Sequence, residues 1–308
     1  MLQTSSLLII MRKLKDMNAL ILGGTGLLGK AFVYQSAKFG YKPVTLARKG
    51  ADINSDASVK ANLYSAIESV KPAIIINTIA QTNLQYCEDS PQSTYLINSY
   101  IPLLIALYCA DKKNIKFCHI STDHYFNGDK NKLHDEKAEV LLRNEYAKTK
   151  YAGECFALSD PNALILRTNI VGFRNWKNRP TFVEWVLENL IKKNSITMFD
   201  DFFTSSLDAR TCARIALELI DLNAIGLFNV GSNESSSKES FIRMLATKFG
   251  FDLSNASVGS VHSNASIPRC DSLGLDVSKA EQLLGYRFPS THDVVDSIAK
   301  EYEVSKNG

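Results

Sequence analysis

Cysteines are few in this sequence, and they are not arranged for metal binding or for disulfides. Six cysteines are scattered over 308 residues, with no Cys-x-x-Cys pair and no histidine at a spacing typical of zinc sites. We therefore predict no metal site and no disulfide framework. Reduced thiols of this kind are typical of the cytoplasm, where we expect the protein to be located.

Long apolar runs and a strong net charge are also missing. The apolar stretch at residues 7–11 is far shorter than a membrane span or a signal-peptide core, and the formal net charge is only +3. We therefore expect no membrane anchor, no export and no nucleic-acid partner. Residues 1–16 precede the first strand-like run, and we predict that they are a disordered N-terminal extension.

The first half of the chain alternates short apolar runs with helical segments. This alternation is typical of βαβ units, so the predicted fold class is α/β, a Rossmann-type doubly wound parallel sheet. The predicted strands are 19–22, 43–47, 73–77, 116–121 and 163–168, and the helices between them are 28–39, 92–112 and 143–158.

After about residue 170 the sequence becomes richer in loops. Helix, strand and helix follow at 182–193, 195–199 and 209–222, and a helix at 239–249 lies between the irregular segments 232–240 and 253–275. We predict a dinucleotide-binding domain over 17–170, with strand and helix contributions from later residues. Residues 171–308 would form mainly a smaller C-terminal α/β substrate lobe, which covers the carboxyl ends of the strands.

A glycine-rich turn joins the first predicted strand to the first predicted helix. The segment Gly23-Gly24-Thr25-Gly26-Leu27-Leu28-Gly29 fits both G-x-G-x-x-G and G-x-x-G-x-x-G spacing. Glycine is needed there because a phosphate can rest on the helix N-terminal amides only if nothing projects from the backbone. The alternative is a flexible hairpin or a helix cap. The predicted cofactor contacts in this turn are Gly23, Thr25, Gly26, Leu27 and Leu28.

The end of the second strand bears on which dinucleotide is bound. An acidic residue that would hold the ribose hydroxyls of NAD is missing there, and the strand ends instead in Ala47-Arg48-Lys49. The Arg48 guanidinium suits the 2′-phosphate of NADP, so NADP(H) is favoured over NAD(H). The alternative is that both cations are solvated surface charges.

A tyrosine followed four residues later by a lysine places both side chains on one helix face, where the cation favours the phenolate. This spacing occurs four times, so context must decide between the pairs. Only Tyr146 and Lys150 follow a strand that ends in hydroxyl residues, Ser121-Thr122-Asp123. We predict that Tyr146 is a proton donor helped by Lys150. The other three pairs are Tyr34 with Lys38, Tyr108 with Lys112 and Tyr302 with Lys306.

Together these motifs resemble the dTDP-4-dehydrorhamnose reductase branch of the extended short-chain dehydrogenases/reductases. The resemblance runs from about Asn18 to Ser297 and is more specific in the first half. It is carried by residues 23–29, 76–82, 119–126, 146–154 and 166–168.

The resemblance implies reduction of a keto group, at C4, on a nucleotide-linked deoxysugar. It implies that the nicotinamide lies across Ala80, Gln81 and Thr82. Thr122, Tyr146 and Lys150 would form the catalytic set, with Asp123 near the sugar. Tyr146 and Lys150 would also contact the cofactor, Lys150 through the nicotinamide ribose. A homodimer built from a helix pair is a further implication of the family.

The chain departs from the family pattern in the substrate region. Related 4,6-dehydratases have a glutamate at the position of His124, so we do not expect dehydration. The reductases usually have an aromatic residue at this position, so we expect an altered sugar pocket. Phe203-Thr204-Ser205-Ser206-Leu207 replaces a Gly-Ser-Pro-Thr stretch. We therefore name His124, Phe203 and Arg269 as substrate candidates, the last for a pyrophosphate.

Two other functions stay open. The regulatory β subunit of methionine adenosyltransferase resembles the same branch, so a non-catalytic, NADP-binding regulatory subunit is one alternative. A sugar-nucleotide epimerase is the other. The intact Tyr146, Lys150 and Thr122 argue against loss of catalysis.

Overall fold

A computed structural model describes residues 17–112, 114–263 and 266–307. The predicted extension at residues 1–16 lies outside these ranges. The strands of the main sheet are β1 (Met17–Leu22), β2 (Tyr41–Ala47), β3 (Ile53–Asn54), β4 (Ile74–Asn77), β5 (Lys116–Ile120), β6 (Leu164–Thr168) and β11 (Gly226–Val230). The short strands outside it are β7 (Ile170–Val171), β8 (Ile196–Phe199), β9 (Phe203–Thr204), β10 (Leu207–Asp208), β12 (Ser236–Ser237), β13 (Ala256–Gly259) and β14 (Ser272–Leu273).

The helices of the first half alternate with the main strands. They are α1 (Leu27–Lys38), α2 (Lys60–Val70), α3 (Leu84–Asp89), α4 (Pro91–Ala110, with a π-helical turn at Leu96–Tyr100) and α5 (Glu145–Ala157). The helices of the second half are α6 (Phe182–Ile191), α7 (Ala209–Asp221), α8 (Lys238–Phe249), α9 (Ser278–Leu284) and α10 (Thr291–Asn307).

Seven parallel strands form the main sheet, in the order β11-β6-β5-β4-β1-β2-β3. Alternate residues of β1 enter different cores, because successive side chains of a strand point to opposite faces. Ala19 and Ile21 pack with α1, α6 and α7, while Leu20 and Leu22 pack with α2 and α4. The sheet is thus covered on both faces, which explains its continuous apolar strands. The predicted doubly wound α/β fold is confirmed.

Helix α4 is the most apolar helix of the first half. By length and composition alone it could cross a membrane, but half of it is buried inside the fold, as in the core helix of a soluble protein. It packs against α5 and β5. These contacts place it in the core between the sheet and α5.

The second half of the chain alternates between the main sheet and three small sheets. The small sheets pair β10 with β7, β13 with β8, and β9 with both β12 and β14. The chain returns to the main sheet through α7, which packs on α1, and through β11, which pairs with β6. The prediction that 253–275 is irregular was wrong in part, because β13 and β14 lie within it. The domain boundary at residue 170 stays a prediction.

Candidate active site

The glycine turn has the geometry that a phosphate needs. Gly23 has φ of +80°, and a Cβ there would lie 2.7 Å from Thr78 Oγ1. A Cβ on Gly29 would lie 2.1 Å from the Gly23 carbonyl oxygen, so neither position tolerates a side chain. Gly26 is the N-cap of α1, and no side chain caps this helix. The first amides of α1, from Leu27 and Leu28 onward, therefore fit a phosphate of a dinucleotide.

Arg48 lies just beyond the carboxyl end of β2, and its side chain is exposed. Its charge helps to hold the pKa of Asp56 below the usual range, after the hydrogen bonds from Ser58. A nearby carboxylate, Asp52, accepts hydrogen bonds from the Thr45 amide at 2.8 Å and the Thr45 hydroxyl at 2.7 Å. Asp52 is therefore bonded to Thr45, and the cations Arg48 and Lys49 are both exposed at this end of β2.

Asn98 fixes the loop that contains Ala80, Gln81 and Thr82. Its side-chain oxygen accepts from the Gln81 amide at 2.8 Å, and its amide nitrogen donates to the Gln81 carbonyl at 3.0 Å. The same nitrogen donates to Thr149 Oγ1 on α5 at 3.1 Å. Asn98 was not predicted from the sequence. The direction of its side chain depends on the π-helical turn of α4, and no sequence pattern indicates such a turn.

Tyr146 and Lys150 lie together at the carboxyl end of β5. Asn144 caps the N-terminus of α5 through the Ala147 amide, so Tyr146 is in the first turn and Lys150 one turn later. Tyr146 is 8 % and Lys150 2 % exposed. Lys150 Nζ donates to the Ile120 carbonyl at 2.5 Å. Burial lowers the pKa of Lys150 to about 8, against the attraction of Glu154.

Thr122 lies beside the Tyr146 phenol. Burial raises the pKa of Tyr146 well above its usual value, the Thr122 hydroxyl opposes this rise, and the Asp123 charge adds to it. The phenol is therefore protonated at neutral pH, as a proton donor must be. Thr122 Oγ1 is 3.4 Å from Asp123 Oδ1.

Asp123 and His124 complete the wall next to the phenol. Burial raises the pKa of Asp123 to about 7, while the charge of Lys238 and hydrogen bonds from Asn169 and other groups lower it. Asp123 Oδ2 has no hydrogen-bond partner among the described residues. His124 Nε2 lies 3.9 Å from Asp123 Oδ1, and its ring meets the Tyr146 ring edge to face at 5.4 Å. Burial lowers the pKa of His124 to about 4.

A buried ion pair between α5 and β6 holds together the elements that carry the site. Arg167 on β6 binds Glu154 on α5 through two hydrogen bonds, of 2.6 and 3.1 Å. Ser121 donates to the same carboxylate at 2.8 Å. The Ser121 hydroxyl is therefore bonded to Glu154, and the Thr122 hydroxyl is the one that lies beside the Tyr146 phenol.

The second half of the chain brings Arg269 and Phe202 to His124. The Arg269 charge contributes to the low pKa of His124, and Arg269 Nε has no partner in the described part of the chain. The ring next to His124 belongs to Phe202, with centroids 6.4 Å apart. Phe203, the predicted candidate, lies half-buried in β9, opposite Ser237 and Ser272. Its substrate contact stays a prediction.

Lys238, at the start of α8, is a second residue that the sequence analysis missed. Its charge lowers the pKa of both Asp123 and His124.

No cluster of three or more His, Cys, Asp or Glu residues that could hold a metal ion occurs within 17–112, 114–263 and 266–307.

Comparisons with known proteins agree with this geometry. The family described as RmlD substrate binding domain matches residues 17–304. A Haloferax volcanii protein named "Probable low-salt glycan biosynthesis reductase Agl14" is 28% identical over 90% of this chain and 95% of its own length. The dTDP-4-dehydrorhamnose reductase of Escherichia coli is 29% identical over 70% of this chain and 72% of its own.

Among solved structures, a dTDP-4-dehydrorhamnose reductase of Bacillus anthracis in complex with NADP has the same fold. The TM-score is 0.83 at 22% identity, over 93% of this chain and 100% of that one. The resemblance to the dTDP-4-dehydrorhamnose reductase branch of the extended short-chain dehydrogenases/reductases is confirmed, and the chain belongs to the RmlD substrate binding domain family.

Proposed function

We propose that this protein is an NADPH-dependent oxidoreductase that reduces the C4 keto group of a nucleotide-linked deoxysugar. The observation that carries the proposal is the buried, protonated Tyr146 beside Thr122 and Lys150, at the same sheet edge as the uncapped glycine turn. Relatives named as sugar-nucleotide reductases support the substrate class.

The cofactor would lie along the carboxyl edge of the sheet and supply a hydride to the keto carbon. Gly23 and Gly29 have no side chains, so the cofactor phosphates could approach the backbone of the turn. The Asn98 hydrogen bonds to Gln81 would hold the loop at residues 80–82 against the nicotinamide. Arg48 would bind the 2′-phosphate, which favours NADPH over NADH. The residues proposed to hold it are Gly23, Thr25, Gly26, Leu27, Leu28, Arg48, Ala80, Gln81, Thr82, Tyr146 and Lys150.

Three side chains take part in proton transfer to the keto oxygen. Tyr146 gives its phenolic proton to the keto oxygen as negative charge develops there, and the Thr122 hydroxyl donates a hydrogen bond to the same oxygen. Burial opposes formation of the phenolate, so a nearby cation must stabilise it. Lys150, with a pKa of about 8, is still protonated at neutral pH and supplies that charge. Asp123 would accept a hydrogen bond from the sugar.

The departure at His124 argues against dehydration. A histidine provides no carboxylate at this position, and with a pKa of about 4 it is neutral at pH 7. Arg269, near His124, would hold the pyrophosphate of the sugar nucleotide. We further propose that the enzyme is cytoplasmic, forms a homodimer, and binds neither nucleic acid nor membranes.

The test has two arms, cofactor binding and turnover. Calorimetric titration should show tighter binding of NADPH than of NADH. Absorbance of the reduced nicotinamide should then fall with one member of a panel of nucleotide-linked 4-keto sugars. Tight binding without turnover across the panel would favour the regulatory subunit, and cofactor that is retained without net oxidation would favour the epimerase.

Tyr146→Phe should lower kcat by about 100-fold or more, because the proton donor is lost. Its affinity for NADPH should stay within about twofold of that of the unchanged protein, a margin worth about 0.4 kcal/mol. Tyr108→Phe is the matched control, because Tyr108 has the same spacing to Lys112 but bonds to Glu68 far from the site. Full activity of Tyr146→Phe would show that the catalytic assignment is wrong.

A further inference from the structure

Lys238 is a lysine buried among aromatic rings at the edge of the substrate cleft. It is the first residue of α8, and only 9 % of it is exposed. Its ammonium nitrogen lies 4.4 Å from the ring centroid of Phe182 and 5.9 Å from those of Phe202 and Phe241. A buried lysine in such surroundings is costly unless its charge is used.

The ammonium has unused hydrogen-bonding capacity. An ammonium group carries three N–H donors. Within the described part of the chain, Lys238 makes one hydrogen bond, to Thr204 Oγ1 at 3.2 Å. Two donors are therefore left for a group that enters the cleft.

Asp123 is the matching acceptor. It is 1 % exposed, and its Oδ2 has no hydrogen-bond partner among the described residues. Lys238 and Asp123 interact electrostatically, since each shifts the pKa of the other toward its charged form. The Phe202 ring links the two groups in space: it lies 5.9 Å from Lys238 Nζ and 6.4 Å from the His124 ring, and His124 Nε2 is 3.9 Å from Asp123 Oδ1. A buried acceptor and a buried donor with spare N–H groups are therefore found on the same side of the site.

We propose that Lys238 and Asp123 together recognise a free hydroxyl at C3 of the sugar, next to the keto carbon. The assignment rests on the proposed function, which places O4 at Tyr146 and Thr122. Asp123 Oδ1 lies 3.4 Å from Thr122 Oγ1, so the carboxylate lies next to the carbonyl group that Thr122 would bind. Of the two ring neighbours of C4, C3 is the one that bears a hydroxyl, because C5 carries the ring oxygen and the exocyclic carbon.

The pair selects a hydroxyl because that group both donates and accepts. A C3 hydroxyl can donate to Asp123 Oδ2 and accept from Lys238 Nζ at the same time. A 3-deoxy sugar leaves both buried groups unpaired, which is costly. A protonated 3-amino group can donate to Asp123 but has no lone pair to accept from Lys238, so Lys238 is left unpaired. The pair therefore favours, among nucleotide-linked 4-keto sugars, those that carry a free hydroxyl at C3.

The decisive variant is Lys238→Met, which keeps an unbranched chain among the phenylalanine rings and removes the charge. We would measure kcat/KM for dTDP-linked 4-keto-6-deoxyglucose and for its 3-deoxy analogue. The unchanged protein should prefer the 3-hydroxy substrate by at least about 100-fold. Lys238→Met should reduce that preference at least about tenfold, through loss of activity on the 3-hydroxy substrate.

Lys279→Met is the matched control. Lys279 also lies over a phenylalanine ring, that of Phe228 at 3.9 Å, but it bonds to the Leu227 carbonyl on the outer strand of the sheet. This variant should keep the full preference for the 3-hydroxy substrate. The melting temperature and NADPH affinity of both variants show whether the fold is intact.

A binding measurement separates this inference from the proposed function. The protein loaded with NADPH cannot reduce dTDP-6-deoxyglucose, whose C4 already bears a hydroxyl, so its affinity can be compared with that of the 3-deoxy analogue. The difference should be present in the unchanged protein and at least about tenfold smaller in Lys238→Met. Equal affinities in the unchanged protein, or an undiminished difference in Lys238→Met, would overturn the inference. Absence of turnover alone would overturn only the proposed function.

Discussion

His124 shows how burial controls the protonation of a single residue in this site. Its folded-state pKa of about 4 lies below the value of about 6.5 expected in the unfolded chain. Between these values the unfolded chain binds more protons, so the contribution of His124 to stability is present above pH 6.5 and is lost as the pH falls toward 4. The side chain is 21 % exposed, which makes the effect smaller than the full shift.

We expect His124→Phe to make the protein less sensitive to acid. Phenylalanine keeps the edge-to-face contact with Tyr146 but cannot take up a proton. Between pH 7 and pH 5 the variant should lose about 1–2 kcal/mol less stability than the unchanged protein. Melting temperatures across this range measure the difference. Identical losses would mean that the imidazole is not kept neutral by the fold.

The sequence was sufficient for the residues that belong to a local pattern. Tyr146 and Lys150 share one helix, and Thr122 lies just after the end of the preceding strand, so spacing and context predicted that they lie together. Lys238 could not be predicted in the same way. It lies 115 positions after Asp123, and it reaches the site only because β9 and β12 bring α8 to the cleft.

At the scale of elements, the π-helical turn of α4 determines where the cofactor loop lies. Asn98 in this turn makes both hydrogen bonds to the Gln81 backbone. Asn98→Ala should therefore weaken NADPH binding about tenfold, since each lost hydrogen bond contributes about 0.5–1.5 kcal/mol. Calorimetric titration would show the change.

Ser99→Ala is the control for the Asn98 experiment. Ser99 donates to the Thr149 carbonyl at 2.7 Å, so this variant also removes a bond between α4 and α5. It leaves the Gln81 loop untouched, and NADPH affinity should hardly change. Equal weakening by both substitutions would point to helix packing as the cause.

Some elements were predictable from composition, and others were not. The buried strands β1 and β4 are continuous apolar runs, and the structure places strands over both runs, within two residues of the expected ends. Helix α2 was missed because its sequence, KANLYSAIESV, is short and of mixed composition, with no long apolar run. Strand β11 was missed because GLFNV is no more apolar than many loops, and only its pairing with β6 makes it a strand.

At the scale of the whole molecule, the first half of the chain depends on the second. Strand β6 pairs with β11, and α1 packs on α7. A fragment of residues 17–170 would expose one edge of β6 and the apolar face of α1. We expect it to aggregate and to show no cooperative thermal transition by circular dichroism, whereas the full chain should show one. A soluble fragment with a cooperative transition would establish an independent domain.

The chain passes between the main sheet and the small sheets several times. β7 follows β6 almost directly, β10 leads into α7, and β12 follows β11. Residues 171–308 are therefore joined to the main sheet at several points, and we expect that they cannot be exchanged as one unit. We expect a change of substrate preference that leaves the main sheet intact to come from short segments between the small sheets, such as 199–206, which leads from β8 through β9 and contains Phe202 and Phe203.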